Sequence, residues 1–514
     1  MRAQTMVEPR IPRHLLLLGL ASVLVHLAAI NQYGYFRDEL YYLASTSHLD
    51  FGYVDHPPLS IWILAVIRVL LGDSLIALRI VPVLAGAAVV IMTGLMAREL
   101  GGGRFAQALA ATAVLVSPVH IGNTRYYSMN AFDLLLWALA GWILIRVLAS
   151  GDRRLWLLLG TVLGLGLANK ISVLWLGAGL AVGLLLTSHR KALLTRGPWV
   201  AGAISAALFL PYVIWQVRHD WATLEFMRNA TQEKMVRTGL LEAIREQVLV
   251  MNPAVAPIWI AGLIWSLFSK EGARWRILGF IYLTVFAILA ASGTSRGSYL
   301  APAYPFLLAP GALALERILA SPRLAWARAA AFALPVAVGA VFLPFAVPIL
   351  PVDSFIRYQH AIGLTPRQQE RTSVAELPQY YADMFGWEEM ARKAADAYHG
   401  LTPQEQARCL FFGQNYGEAG ALDVLGPRFG LPPGRVLSGH NSYWIWGTRE
   451  MAGEVAIILG SNYEDNSEFF EQVEQVGTIR CERCMPYERD LPVFVGRRPK
   501  ATLANVWPQL KMFI

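Results

Sequence analysis

The sequence predicts a polytopic α-helical membrane protein with a C-terminal soluble α/β domain. Three observations predict it. Hydrophobic residues make up 55% of the 514 positions, and only 16% are charged. The charges avoid long stretches of the first two-thirds, and those stretches approach the ~20 apolar residues a helix needs to cross a bilayer. From about Val352 the chain becomes much more polar. A soluble protein of this size would carry a charged surface throughout. Residues 1–351 therefore read as the membrane domain and 352–514 as the soluble one.

Eleven apolar stretches are the candidate spans: 14–30, 79–97, 105–121, 131–148, 155–169, 171–187, 198–217, 253–269, 277–292, 299–316 and 327–349. The first follows Arg10 and Arg13 with no small-residue cleavage site behind it, so it reads as a retained span. Basic residues set the orientation, because cytoplasmic loops carry the excess of Lys and Arg. With the N-terminus in the cytoplasm, the inner segments hold Arg2, Arg10 and Arg13; Arg98 and Arg104; Arg153 and Arg154; Arg190, Lys191 and Arg196; Lys270, Arg274 and Arg276; and Arg317, Arg323 and Arg328. Every predicted inner loop is basic, and eleven spans leave the tail outside. The 155–169 stretch is the shortest, and parity supports it: without it every later loop would change sides. This arrangement accounts for the net charge of +8 without nucleic-acid binding.

The outer segments differ in kind. Residues 31–57 form a long loop rich in Asp, Tyr and His. Residues 58–72 are apolar but contain Arg68, which suits a helix at the membrane interface or a short span. Residues 218–252 mix charge with helical apolar spacing and predict an outer amphipathic helix pair. In the tail, 374–399 has helical spacing, 409–413 is a short apolar run entering a Gly-rich turn, and 454–460 and 492–496 read as strands. Cys409 stands alone. Cys481 and Cys484 make half of a zinc site with no second pair, so a local disulfide outside the cytoplasm is the better reading.

The polar groups cluster at the outer ends of the spans. The first outer loop reads Tyr33-Gly-Tyr-Phe-Arg-Asp-Glu-Leu-Tyr-Tyr42 and then Gly52-Tyr-Val-Asp-His-Pro-Pro58. Asp38 and Glu39 beside a membrane, with Tyr41, Asp55 and His56 nearby, suit a general base, a substrate subsite or a cation site. A solvated acidic loop is the plainer reading, and the crowded tyrosines and the Asp55-His56 pair weigh against it. The second outer turn, Arg125-Tyr-Tyr-Ser-Met-Asn-Ala-Phe-Asp133, supplies Arg125 and Tyr126 as substrate contacts and Asp133 at the mouth of a span. Asp133 reads equally as a helix N-terminal carboxylate, with Asn130 as a cap. Lys170, in Ala168-Asn-Lys-Ile-Ser172, is a cation on the predicted outer side. A phosphate partner explains it as well as snorkelling to headgroups does. Arg296 and Tyr299 fall in another outer turn and suit the same anionic site. In the tail, Gly413-Gln-Asn-Tyr-Gly-Glu-Ala-Gly420 lacks both the P-loop ending and dinucleotide spacing. Ser438-Gly-His-Asn-Ser-Tyr-Trp-Ile-Trp-Gly447 suits sugar stacking, or simply a packed turn.

At Arg37-Asp-Glu-Leu-Tyr-Tyr42, Gly52-Tyr-Val-Asp-His-Pro-Pro58, Met129-Asn-Ala-Phe-Asp133 and the Lys170 turn, the chain resembles the bacterial GT-C glycosyltransferases. It is most similar to the group of dolichyl-phosphate-mannose protein mannosyltransferases and lipid A aminoarabinose transferases. Asn415-Tyr-Gly-Glu-Ala-Gly420, Gly439-His-Asn-Ser-Tyr-Trp444 and Met485-Pro-Tyr-Glu488 look like the soluble domain of one bacterial branch. The resemblance implies a GT-C fold of about 11 spans in a bacterial inner membrane. It implies a sugar donor on a polyprenyl phosphate, an acceptor outside the cytoplasm (a glycolipid, polysaccharide or protein) and inversion at the anomeric carbon. It places the key acid on Asp38 with Glu39 beside it, the second acid on Asp133, and the lipid phosphate near Lys170, Arg296 and Tyr299. Many relatives carry an acid closer to the turn where this chain has Asn130. A divalent ion held by Asp38 and Asp55, with Asp133, is the alternative to cationic side chains at the leaving group. The rival functions are a transporter or flippase for an envelope lipid or sugar, and a sensor with the tail as its ligand module.

Overall fold

The structure is a computed structural model that describes residues 10–368 and 370–514; Arg2 of the first basic cluster lies outside the described residues. Each of the eleven apolar stretches is helical. Five helices are long and apolar enough to cross a membrane: Leu75–Glu99, Met129–Ser150, Arg196–Arg218, Gly272–Ser292 and Pro322–Ala346. Four bent pairs pass the same test together, among them Arg104–Leu115 with Pro118–Thr124 and Leu240–Val250 with Pro253–Phe268. Arg13–Leu27 and Arg154–Asn169 are apolar but shorter. The chain is a multi-pass membrane protein.

Helix Leu59–Leu71 has 13 residues, about 20 Å at 1.5 Å per residue, against a hydrocarbon core of about 30 Å. It buries Ile61, Leu64 and Ile67 and exposes Val66, Val69 and Leu70. Arg68 at its end donates to Asp73 and to the Leu43 carbonyl, so its charge is partnered. The length and this satisfied cation suit a helix at the interface. The bundle packs closely where glycines meet. A Cβ on Gly262 would lie 1.9 Å from the Leu307 carbonyl oxygen, and one on Gly311 1.9 Å from that of Ile258. Helices Ala256–Phe268 and Pro305–Ile318 thus cross backbone to backbone, as small residues permit in membranes. In the 218–252 segment, Ala222–Asn229 runs into a π turn ending at Lys234, and Leu240–Val250 forms the second helix.

The tail contains a five-stranded mixed sheet: β1 Cys409–Phe412, β2 Val436–Leu437, β3 Val455–Leu459, β4 Phe470–Ile479 and β5 Leu491–Pro499, in the order β2-β1-β3-β5-β4. Strand β1 pairs in parallel with β2 and β3, while β5 runs antiparallel to β3 and β4. Residues on β3 alternate between faces. Val455, Ile457 and Leu459 join a core with helices Trp387–His399 and Tyr416–Leu425, and that core continues to Leu40 and Tyr41 of the first loop. Ala456 and Ile458 face a second cluster with Phe494 and Trp507. The helix expected over 374–399 is shorter. Pro378 opens a single turn, Gln379–Ala382, and Gly386 (φ +95°) precedes Trp387–His399. The pair expected as a local disulfide is a pair of free thiols, with Cys484 Sγ donating to the Cys481 carbonyl at 2.9 Å.

Candidate active site

The Arg37-Asp-Glu sequence opens helix Arg37–Ser45, and its two acids have different fates. Glu39 stands at the third helical position, where a carboxylate reaches back to the free N–H groups of the helix start. Its Oε2 accepts from the Phe36 backbone at 2.8 Å and from Arg79 at 2.8 Å. Its Oε1 accepts from Arg79 at 3.0 Å and from the Tyr127 backbone at 2.9 Å. Glu39 and Arg79 are fully buried, and Arg79 also donates to the Ile30 carbonyl at 2.8 Å. With both oxygens engaged, Glu39 pins three segments together and has no lone pair directed at a substrate. Breaking such a pair leaves an uncompensated buried charge, at a cost of about 3–5 kcal/mol.

Asp38 is one-third exposed (33%). Its Oδ1 accepts from Tyr416, a residue of the tail, at 3.0 Å. Among the described residues no hydrogen bond reaches Oδ2. Arg37 turns mainly to the tail: it donates to Tyr487 at 2.8 Å, lies 3.6 Å from Asp383 and stacks over the Tyr416 ring. Burial pushes the Asp383 carboxyl up to about 6, against the pull of Arg37.

The second loop meets the first through Tyr42, whose hydroxyl accepts from the Met129 backbone at 3.4 Å. Helix Met129–Ser150 then buries Asp133 one turn in. Asp133 accepts from Ser172 at 2.7 Å and lies 3.4 Å from Lys170 Nζ, which also donates to Asn130 at 2.7 Å. The turn carrying Lys170 is tied to the same helix start by Asn169, which donates to the Met129 carbonyl. Lys170 sits over the Tyr299 ring at 5.5 Å. Two of the three ammonium protons thus have partners, and one is left to donate.

Tyr299 and Arg296 share one turn, with the Tyr299 N–H donating to the Arg296 carbonyl at 3.0 Å. Arg296 pairs with Glu370, yet its Nε is buried without a partner among the described residues. Lys234 lies 3.9 Å from the same Glu370, and Gln379 donates to it at 2.8 Å. Burial opposes the charge on Glu370, but Lys234, Arg37 and Arg296 outweigh it and hold its carboxyl down at about 2.

Arg125 donates to the carbonyls of Ala346 and Tyr380 and lies against the rings of Tyr126, Tyr380 and Tyr381. Tyr126 packs on Phe36 at 4.4 Å between centroids. Asp55 accepts from Tyr41 at 2.9 Å, and the Tyr41 hydroxyl also meets that of Ser442 of the tail at 2.7 Å. His56 is buried, its Nδ1 beside the Pro57 carbonyl and its ring stacked on Tyr42. Asp38 and Asp55 are therefore held by different tyrosines. Among the described residues no group of three or more His, Cys, Asp or Glu side chains is placed to hold one metal ion. Lys234, Glu370 and Asp383 carry no local signal in the sequence, and Tyr416 and Tyr487, which lie in the tail motifs, gave none that linked them to Asp38: each meets the site from a distant segment.

This architecture has known counterparts. Over 93% of this chain and 97% of the other, it superposes on ArnT from Cupriavidus metallidurans bound to undecaprenyl phosphate, with a TM-score of 0.59 at 14% identity. This is the GT-C glycosyltransferase fold. The GT-C match extends to the apo state of the same ArnT, with a TM-score of 0.56 at 13% identity and the same coverage. Residues 55–215 match the family model of dolichyl-phosphate-mannose-protein mannosyltransferases. That stretch carries Asp55, Asp133 and Lys170 and stops short of Asp38 and the tail. No curated protein sequence matches the chain.

Proposed function

We propose that this GT-C protein transfers a sugar from a polyprenyl-phosphate donor to a hydroxyl-bearing acceptor outside the cytoplasm, with Asp38 as the general base. The observation that carries the reading is the half-satisfied Asp38: Oδ1 is held by Tyr416, and Oδ2 has no partner among the described residues. Its contrast with the fully engaged Glu39 supports Asp38 over its neighbour.

The acceptor oxygen attacks the anomeric carbon and its proton passes to Asp38 Oδ2. The bond from that carbon to the phosphate oxygen breaks, and its electron pair stays on the lipid phosphate. Developing negative charge there needs pre-placed donors. Lys170 has one ammonium proton to give, and Arg296 has its unpartnered Nε. Asp133 holds Lys170 in place. The basic segments support an orientation with this site outside, because they meet one another at the opposite end. Arg98 donates to the Arg10 carbonyl, Arg274 to Ala149, and His189 lies against the Arg274 carbonyl.

Purified protein is given radiolabelled undecaprenyl-phosphate mannose, glucose, galactose, arabinofuranose and aminoarabinose, with envelope extract as acceptor. Consumption of one donor with release of undecaprenyl phosphate is expected. Movement of an intact donor across sealed vesicles, without consumption, would mark a flippase instead.

A further inference from the structure

The Asn415-Tyr-Gly-Glu-Ala-Gly420 segment is left over by the transfer chemistry, and its geometry gives it a task. The Asn415 side chain caps helix Tyr416–Leu425, accepting from the backbone of Gly417 at 2.8 Å and Glu418 at 3.1 Å. Its amide donates to Glu418 at 2.8 Å and to Glu488 at 3.0 Å, so the helix start is anchored inside the tail. Two glycines about one turn apart then let this helix lie flat on helix Arg37–Ser45. A Cβ on Gly417 would stand 2.6 Å from Arg37 Cγ, and one on Gly420 3.0 Å from the Leu40 carbonyl carbon. A second clamp sits at the adjacent Tyr41, whose hydroxyl meets that of Ser442 at 2.7 Å. The close approach aims one hydroxyl of the tail, that of Tyr416, at Asp38 Oδ1. Tyr487 meanwhile draws the neighbouring Arg37 aside, leaving its Nε 3.9 Å from Asp38.

We propose that Tyr416, contributed by the soluble tail, is a positioning residue for Asp38: its hydroxyl fixes Oδ1 and leaves Oδ2 to take the acceptor proton. The inference rests on Asp38 being the base. Tyr416 keeps its own proton throughout, and the only proton transferred runs from the acceptor hydroxyl to Oδ2. A hydrogen bond donated to a carboxylate favours its charged form, and only the charged form accepts a proton. The tail is on this account part of the active site.

The test uses the full chain and whichever of the five labelled undecaprenyl-phosphate sugars the wild type consumes fastest, with Asp38→Asn run in parallel. Tyr416→Phe removes one oxygen. It is expected to lower kcat roughly tenfold to a hundredfold, the worth of a hydrogen bond to a charged group. Donor KM stays near the wild-type value, and the acidic limb of the pH–rate profile moves to higher pH. In 3-fluorotyrosine at position 416 the shape is kept and the donor strengthened, so the fold is safe and the limb moves to lower pH. Wild-type kcat and an unmoved limb in both variants, with Asp38→Asn inactive, would overturn the role of Tyr416 alone. An active Asp38→Asn would overturn the base assignment and the positioning role together.

Discussion

Asp38 and Glu39 are adjacent in sequence and opposite in circumstance. In sequence they are indistinguishable, since both are acids at a membrane boundary. The helix start separates them: the third position turns Glu39 inward to Phe36 and Arg79, and the second leaves Asp38 at the surface. Lys170 and Asp133 were legible because ionisable groups at the ends of apolar runs stand out, and the structure brings them within 3.4 Å. Ser128, not Asp133 or Asn130, caps helix Met129–Ser150, which leaves the Asp133 carboxylate to Ser172 and the Lys170 ammonium. Lys170→Ala is expected to raise donor KM about tenfold or more, with a smaller effect on kcat, since a charge-assisted hydrogen bond to phosphate is worth about 1.5–3 kcal/mol. Steady-state kinetics with varied donor checks this, and an unchanged KM would remove Lys170 from the phosphate site. Glu370, Lys234 and the link of Tyr416 to Asp38 were illegible for a common reason. Each gains its meaning from a partner in another segment of the chain, and no local spacing encodes that.

Elements read well where one physical rule governs them. The apolar runs became helices because lipid leaves backbone groups no partner but their own. The four residues of β1 read only as a short apolar run before a turn, whereas strand β3 and the first part of β5 are near-continuous apolar runs and could be read directly. Strand β4 could not: Phe470-Glu-Gln-Val-Glu-Gln-Val is an exposed edge strand whose charges interrupt any alternation. The helix expected from Val374 starts late because Pro378 and Gly386 override its apolar spacing. The start of helix Tyr416–Leu425 holds a buried acid pair, its own Glu418 and the distant Glu488, bridged by Asn415. Burial raises both carboxyls, Glu488 to about 7. A group raised above its unfolded value binds more protons folded than unfolded, so stability falls as pH rises from the ordinary carboxylate range to about 7. Thermal melts of the purified protein are expected to show a melting temperature that declines across that window. Glu488→Gln flattens the decline; an unchanged slope in that variant would place the cause elsewhere.

At the scale of the whole molecule, the membrane bundle and the tail share one core, running from Leu40 and Tyr41 through Leu422 to Ile457. Composition separates the two at Val352, but the first loop belongs physically to both. Orientation has its own test. On a background without native cysteines, Glu388→Cys and Arg153→Cys each place one exposed thiol, the first in the tail and the second in a basic segment. An impermeant maleimide added to intact cells with an opened outer envelope is expected to label position 388 and to reach 153 only after the membrane is permeabilised. The reverse pattern would invert the topology. The central claim is that Asp38 takes the acceptor proton in a lipid-phosphate sugar transfer. Turnover of the consumed undecaprenyl-phosphate sugar by purified Asp38→Asn tests it most directly. The account predicts a folded protein that melts like the wild type and has lost transfer by at least about a hundredfold; near-normal turnover in that folded variant would contradict it.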